Sequence, residues 1–304
     1  MLIDVPGFLL GHVTKEDTGC SVVVAPHGAF AGVDVRGGGP GTRETDLLEA
    51  HNTVQQIHAV ALCGGSAFGL AAADGVMTAL EERGIGFPVL PEGPIVPIVP
   101  GAVIFDLLVG DSHNRPTAAD GALAVEHAFA GTHHGSGNVG AGTGATAGRL
   151  RGGFGQSSTV VDGFHIAAAV VANPAGEVVD VSTGALFSRP EMVGEGVDKL
   201  KNPAETLNTT IGVVATDAPV TKAQAKRLAL SAHDGLARAV RPSHLPMDGD
   251  TFFAMSSGDG SGVDPLTLAK LSAAAAQCVE NAIIDAILSA SPGLGLKSFR
   301  ELLP

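Results

Sequence analysis

The run Leu207-Asn208-Thr209-Thr210-Ile211 sets an amide side chain and two hydroxyls where a polar stretch gives way to β-branched residues. A threonine hydroxyl can attack the carbonyl that precedes it and move the acyl group from nitrogen to oxygen. Water then opens the ester and leaves a free threonine amine. An α-amine has a reference pKa of about 7.7–8.0, so near neutral pH it can take the proton from its own hydroxyl and activate it as a nucleophile. The competing reading of the same residues is the plain start of a strand. The tripeptide is also an N-x-Thr glycosylation acceptor, which matters only in a secreted chain.

Three other places carry candidate chemistry. Asp248 and Asp250 stand two apart in Pro246-Met247-Asp248-Gly249-Asp250-Thr251. Converging carboxylates resist joint ionisation unless a cation or hydroxyl donors lie between them. A solvated turn, a metal site and a pair that orients a hydroxyl nucleophile all fit, and the spacing is not that of a calcium loop. Asn173 opens an Asn-Pro turn and carries an amide able to donate to an oxyanion. The run 139–148 contains G-x-G-x-x-A with Gly142 and Gly144, but no long apolar strand precedes it and no acid follows at dinucleotide-binding distance. A glycine-rich backbone pocket is the expected use. The eleven histidines form no H-E-x-x-H or Cys/His set, so neither zinc nor a cofactor is called for. Ser66 misses the G-x-S-x-G pattern and reads as a helix cap.

Composition limits what can position these groups. The 304 residues are 45% hydrophobic and 16% charged, enough for a sizeable core in a single domain. Eighteen Lys and Arg face 31 Asp and Glu, a net charge of −13 that phosphate backbones would repel, so no nucleic-acid partner is expected. Glycine is abundant at 42, and Trp and Tyr are absent. Three scattered cysteines, Cys20, Cys63 and Cys278, read as reduced buried thiols. The opening run lacks a basic region followed by a long apolar core, and prolines cut the apolar stretch 94–110. No signal peptide, no membrane partner and a cytoplasmic location are therefore expected.

Along the chain, a buried strand is expected at 21–25 and a short helix near 43–57. Another strand at 60–62 ends in Gly64-Gly65, and a helix follows from Ser66 to about Arg83. Residues 102–109 read as a strand and 116–129 as a helix. The runs 159–172 and 177–181 read as a hairpin joined by Asn173-Pro174-Ala175-Gly176. Residues 184–208 read as an exposed loop. Beyond them come a strand at 210–216, a helix from the Thr221 capping box to about Val240 and a short strand at 252–256. The last helix starts at Asp264-Pro265 and runs to Ser289, its apolar residues on one stripe. Sheets covered by helices follow from this order.

Taken in order, VRGGGPGTRETDLL (35–48), GGSAFGLAAADGVMTALEERG (64–84), IVPIVPGAVIFDL (95–107), GAGTGATAG (140–148), NTTIGVVATDAP (208–219) and DGDTFFA (248–254) resemble the L-aminopeptidase/D-esterases, β-peptidyl aminopeptidases and nylon-oligomer (6-aminohexanoate-oligomer) hydrolases. The resemblance implies a four-layer αββα sandwich, two packed sheets flanked by helices. It also implies self-cleavage between Asn208 and Thr209 into fragments 1–208 and 209–304, commonly assembled as oligomers, here expected to be a tetramer of processed heterodimers. Thr209 is then the nucleophile and, through its amine, the base. Asp248 and Asp250 match the acidic pair of the nylon-oligomer branch, and Asn173 matches an oxyanion-binding Asn. The chain departs from the family where the aminopeptidase branch has a Tyr, near Phe105, and where the nylon-oligomer branch has a Lys, for which Arg149 and Arg151 are the nearest candidates. With Gly142 and Gly144 these define the expected pocket for a small amide or peptide substrate. An acyltransferase resembling ornithine acetyltransferase and a non-catalytic small-molecule binder are the alternatives.

Overall fold

The computed structural model describes residues 1–132, 134–201 and 208–304. Among them, nine strands form one mixed sheet: β1 (Leu9–Thr14), β2 (Gly19–Val35), β3 (Thr42–Arg43), β4 (Gln56–Cys63), β5 (Gly101–Val103), β6 (Gly153–Val161), β7 (Phe164–Ala172), β8 (Ile211–Thr216) and β9 (Thr251–Ser256). Their order is β6-β7-β8-β9-β2-β4-β5-β3, with β1 added to β2. Four helices cover them, α1 (Ala72–Glu81), α2 (Ala118–Ala130), α3 (Lys222–Ala239) and α4 (Pro265–Ser289).

The sheet folds over on itself through β2, whose pairing with β4 slips between Val24 and Ala29. Alternation along each strand then decides which residues face which layer. Val23, Ala31 and Val33 of β2 share one cluster with Val60 and Leu62 of β4, Ala169 and Val171 of β7, Val213 of β8 and Phe253 of β9. That cluster is the core between the two halves. The opposite faces carry Val22, Ala59 and Cys63 against Val76 and Leu80 of α1 and Val125 of α2, and Val170, Val214 and Phe252 against α3 and α4. The result is the expected αββα stack, with the two sheets joined by a shared strand.

α4 shows how sequence sets a layer. Asp264 caps it by accepting from the N–H groups of Leu266 and Thr267, and Pro265 follows in the first turn. Leu271, Ala275, Val279, Ile283 and Ile287 then form the buried stripe. Burying each large aliphatic member contributes about 1.5–3 kcal/mol. At Gly155 of β6 a side chain would meet the backbone of Ala282 and Ala286, so glycine lets this helix sit directly on the sheet. By length and composition alone α4 could cross a membrane, contrary to the expectation that no segment could, but here its stripe faces the sheet.

Several expected elements differ. The hairpin is β6–β7, turned at Asp162-Gly163, while residues 173–181 form no strand. Residues 43–57 hold a 3-10 turn at Asp46–Leu48 in place of a helix. β5 is three residues long, because Asp106 turns inward to accept from Thr18 Oγ1 at 2.7 Å and from the Gly65 N–H at 2.6 Å. Ser66 has φ +52° and does not cap; a 3-10 segment, Ser66–Ala71, precedes α1, with Gly65 left-handed before it. The stretch 184–208 contains a small hairpin, Ala185–Leu186 with Arg189–Val193, and its residues 202–207 lie outside the described ones, as does His133. All three cysteines are buried and free, Cys20 opposite Cys63.

Candidate active site

β8 and β9 are parallel neighbours, with Ile211 opposite Thr251, so both enter the sheet from the same edge. That places residues 208–210 beside residues 248–250. β7 runs antiparallel to β8 and ends at that edge, which delivers Asn173, and β2 runs antiparallel to β9 and delivers the glycine turn after Val35. Four chain segments distant in sequence thus converge on one point. Asn173, Asn208, Thr209, Asp248 and Asp250 are each at most 4% exposed.

The peptide bond between Asn208 and Thr209 is held on both sides. Its carbonyl oxygen accepts from the Gly249 N–H at 3.0 Å and from Thr209 Oγ1 at 2.6 Å. Its N–H donates to the Asn173 carbonyl at 2.8 Å. The Asn208 side chain donates to Thr146 Oγ1 and to the Pro174 carbonyl, both at 3.2 Å. This is the continuous chain, with the hydroxyl already against the carbonyl it would attack. Gly249 is required by close approach: a Cβ there would lie 2.7 Å from Thr209 Oγ1.

Neither carboxylate touches the threonine hydroxyl. Asp250 Oδ1 accepts from the Thr210 N–H at 2.9 Å, and its Oδ2 pairs with His244 Nδ1 at 2.8 Å and the His244 N–H at 3.2 Å. Asp248 accepts from the N–H groups of Ala175 and Leu245 at 3.2 and 2.9 Å. Burial, then the neighbouring Asp250, pushes Asp248 up to about 6. The pair fixes the backbone around Thr209. The Asn173 amide is also engaged, its Oδ1 accepting from the Thr146 N–H at 2.8 Å and its Nδ2 donating to the Phe105 carbonyl at 3.4 Å. In this form the backbone donor to the Asn208 carbonyl oxygen is the Gly249 N–H.

Two cavities that share Phe105 lie here. One, about 490 Å³, is lined by Asn208, Phe105, Thr146, Arg149 and the segments 199–201 and 294–297. The other, about 130 Å³, is lined by Thr209, Phe105, Ser66, Ala67 and residues 39–41. Arg149 forms part of the larger wall, its Nε paired with Glu177 at 2.9 Å and its Nη1 reaching the Leu200 carbonyl. Arg151 is buried behind that wall and bonds the Thr143 carbonyl. Gly142 packs on the Phe154 backbone and Gly144 on Asp17 and Asp106; neither lines either cavity. Sequence reasoning did not single out Gly249, His244, Thr146 or the lysines of the larger wall. The only local hint was a glycine set between two aspartates.

A threonine at the head of a central strand of an αββα sandwich, its preceding carbonyl held by a backbone donor, is the arrangement of an N-terminal-nucleophile amide hydrolase. The comparisons agree. Residues 1–299 match peptidase family S58, and the chain belongs to that family. It is 43% identical to an uncharacterized aminopeptidase of Mycobacterium leprae, over all of this chain and 94% of that protein. It is 32% identical to a 6-aminohexanoate-oligomer endohydrolase of Paenarthrobacter ureafaciens, over 84% of this chain and 74% of that one. Its fold matches the L-aminopeptidase D-Ala-esterase/amidase of Ochrobactrum anthropi, described as a variant of the Ntn hydrolase fold, with TM-score 0.77, 23% identity and 95% and 86% coverage. The protein is a hydrolase acting on amide bonds.

Proposed function

We propose that the chain cuts itself between Asn208 and Thr209 and then hydrolyses amides through an acyl-enzyme on Thr209. The observation that carries this reading is the shared contact of Gly249 N–H and Thr209 Oγ1 with the Asn208 carbonyl oxygen. Oγ1 adds to that carbonyl carbon and gives up its proton, Gly249 stabilises the oxyanion, and the C–N bond breaks as that proton passes to the threonine nitrogen. Water hydrolyses the ester, leaving the Asn208 carboxylate on fragment 1–208 and a free amine on fragment 209–304. In turnover that amine takes the hydroxyl proton, Oγ1 acylates, the substrate amine leaves with a proton, and water frees the acid. Asp250 and Asp248 hold the backbone that aims Thr209, and Asn173 becomes an oxyanion donor if its amide turns from Phe105.

The substrate is a small amide or peptide, a reading supported by relatives named aminopeptidase and 6-aminohexanoate-oligomer endohydrolase. The protein works in the cytoplasm, as processed heterodimers grouped in a tetramer. Exposed Phe87, Val89 and Leu90 offer apolar surface for such contacts. Intact-mass spectrometry of purified protein tests the maturation step: two fragments, the second beginning Thr209-Thr210-Ile211, are expected. A single unbroken mass after prolonged incubation overturns the reading. Native mass measurement and fractionation test assembly and location.

A further inference from the structure

Asp250 is gripped from two directions. Its Oδ2 takes the ring and the backbone N–H of His244, and its carbonyl oxygen accepts from the Arg36 N–H at 3.0 Å. Arg36 Nε in turn donates to Asp34 Oδ2 at 2.9 Å. Between Asp34 and His244 stands His233 of α3, fully buried. Its Nε2 lies 3.1 Å from the Asp34 carbonyl oxygen and 3.5 Å from Oδ2. Its ring meets the His244 ring edge to face, with centroids 4.9 Å apart and planes at 66°. Asp34, His233, His244, Asp250 and Arg36 thus close a circuit. Asp34 and Arg36 precede the Asn208–Thr209 bond and the other three follow it, so the circuit ties the two sides of that bond at the carboxylate that receives the Thr210 N–H.

Packing alone does not call for a histidine here. Ala229, Ala232 and Leu236 beside it on α3 are buried and apolar, in the layer that meets Phe252 of β9. A carbonyl only accepts, so His233 Nε2 carries the ring hydrogen and donates it to Asp34. Burial pushes the His233 pKa down to about 4, so the ring is neutral at neutral pH. Its Nδ1 is then a bare lone pair, with no hydrogen-bond partner among the described residues. A buried polar atom left unpaired opposes folding. The ring stands there despite that cost, pinned by Asp34 and packed edge to face on Phe252 with centroids 4.9 Å apart. It offers His244 a flat wall that neither charges at neutral pH nor turns freely.

We propose that His233 is a positioning residue for the reaction at Thr209: its ring, oriented by Asp34, fixes the ring of His244, and through it Asp250 and the strand head that aims the nucleophile. The proposal rests on self-cleavage at Thr209 and goes beyond it by naming what holds the partner of Asp250 in place.

The test follows the first-order appearance of fragments in freshly translated full-length chain. His233→Leu keeps the site apolar and filled but removes the flat ring, whereas His233→Phe keeps a ring and loses the Asp34 bond. Cleavage should slow about tenfold in the leucine variant and about threefold in the phenylalanine variant. In the His244→Ala background the same two changes should each cost less than about twofold, because the residue they act through is gone. A second readout needs no cleavage. In the uncleaved Thr209→Ala chain, the His244 Nδ1–H signal in nitrogen-15 spectra should broaden when either change at position 233 is added. A wild-type rate in the leucine variant, equal slowing in both variants, an undiminished loss without His244, or an unchanged His244 signal overturns the proposal while leaving self-cleavage standing. A wild-type chain that never cleaves overturns the Thr209 reading itself and the proposal with it.

Discussion

The Gly249 N–H lies 3.0 Å from the carbonyl oxygen of Asn208, and its α-carbon leaves no room for a methyl beside Thr209 Oγ1. The two facts belong together. In this turn the donor can sit so close to Thr209 Oγ1 only because the residue that carries it has no side chain. The glycine between the two aspartates is thus a steric requirement of the turn.

Gly249→Ala should slow self-cleavage by on the order of 10²-fold, the cost of displacing an oxyanion donor. A Cβ at 249 would lie 2.7 Å from Thr209 Oγ1 and 2.9 Å from the Gly39 carbonyl oxygen, too close to both. The rate of fragment appearance on denaturing gels measures it. Cleavage at the wild-type rate would show that the Gly249 donor does not face the reacting carbonyl.

Thr209→Ala should abolish both cleavage and amide hydrolysis, whereas Thr209→Ser should retain a hydroxyl able to do each. Intact mass reads the first effect and turnover of an amide panel the second. Because Thr209 is buried beside β8 without being part of it, neither substitution is expected to shift thermal unfolding by more than about 1–2 kcal/mol.

His244 holds Asp250 through both its ring and its backbone, at φ +58°. His244→Ala removes the ring contact and loosens the carboxylate that receives the Thr210 N–H. A loss of about tenfold in cleavage rate, about 1.4 kcal/mol, is expected. His244→Asn, whose amide can reach the same oxygen and which tolerates a left-handed backbone, should recover part of it. Equal rates in the alanine and asparagine variants would assign the effect to folding alone.

Asp248 and Asp106 are both pushed from 3.8 up to about 6 by burial. Between those values the folded chain binds protons more tightly than the unfolded one. Each carboxyl therefore withdraws stability as pH rises through that window, and its full contribution is present only below it. Asp106→Asn and Asp248→Asn should each compare more favourably with wild type at pH 7 than at pH 4 in thermal unfolding. A difference independent of pH would show that neither group titrates there.

Much of the second half of the chain was legible because its signals are local. Thr221 and Asp264 announce their helices by capping chemistry, and the β-branched run after Thr210 announces β8. The β6–β7 turn carried a signal too, Asp162-Gly163, which a longer apolar run obscured. The apolar stretch after Val103 read as strand because nothing local shows that Asp106 is drawn in by Thr18, 88 residues away. Thr209, Asp248, Asp250 and Asn173 stood out by residue type. The donors that hold them did not, since a backbone N–H at Gly249 or a ring nitrogen at His244 acquires its role only when β8 and β9 lie side by side.

The order of strands has a consequence for what a cut leaves behind. β8 is flanked by β7, and β9 by β2, so the chain after Thr209 supplies the two middle rungs of a ladder whose outer rungs precede the break. Severing the backbone at the rim frees two ends without loosening the ladder. The pieces should travel together through any purification that spares hydrogen bonds, and either one made alone would present raw strand edges and be prone to clump.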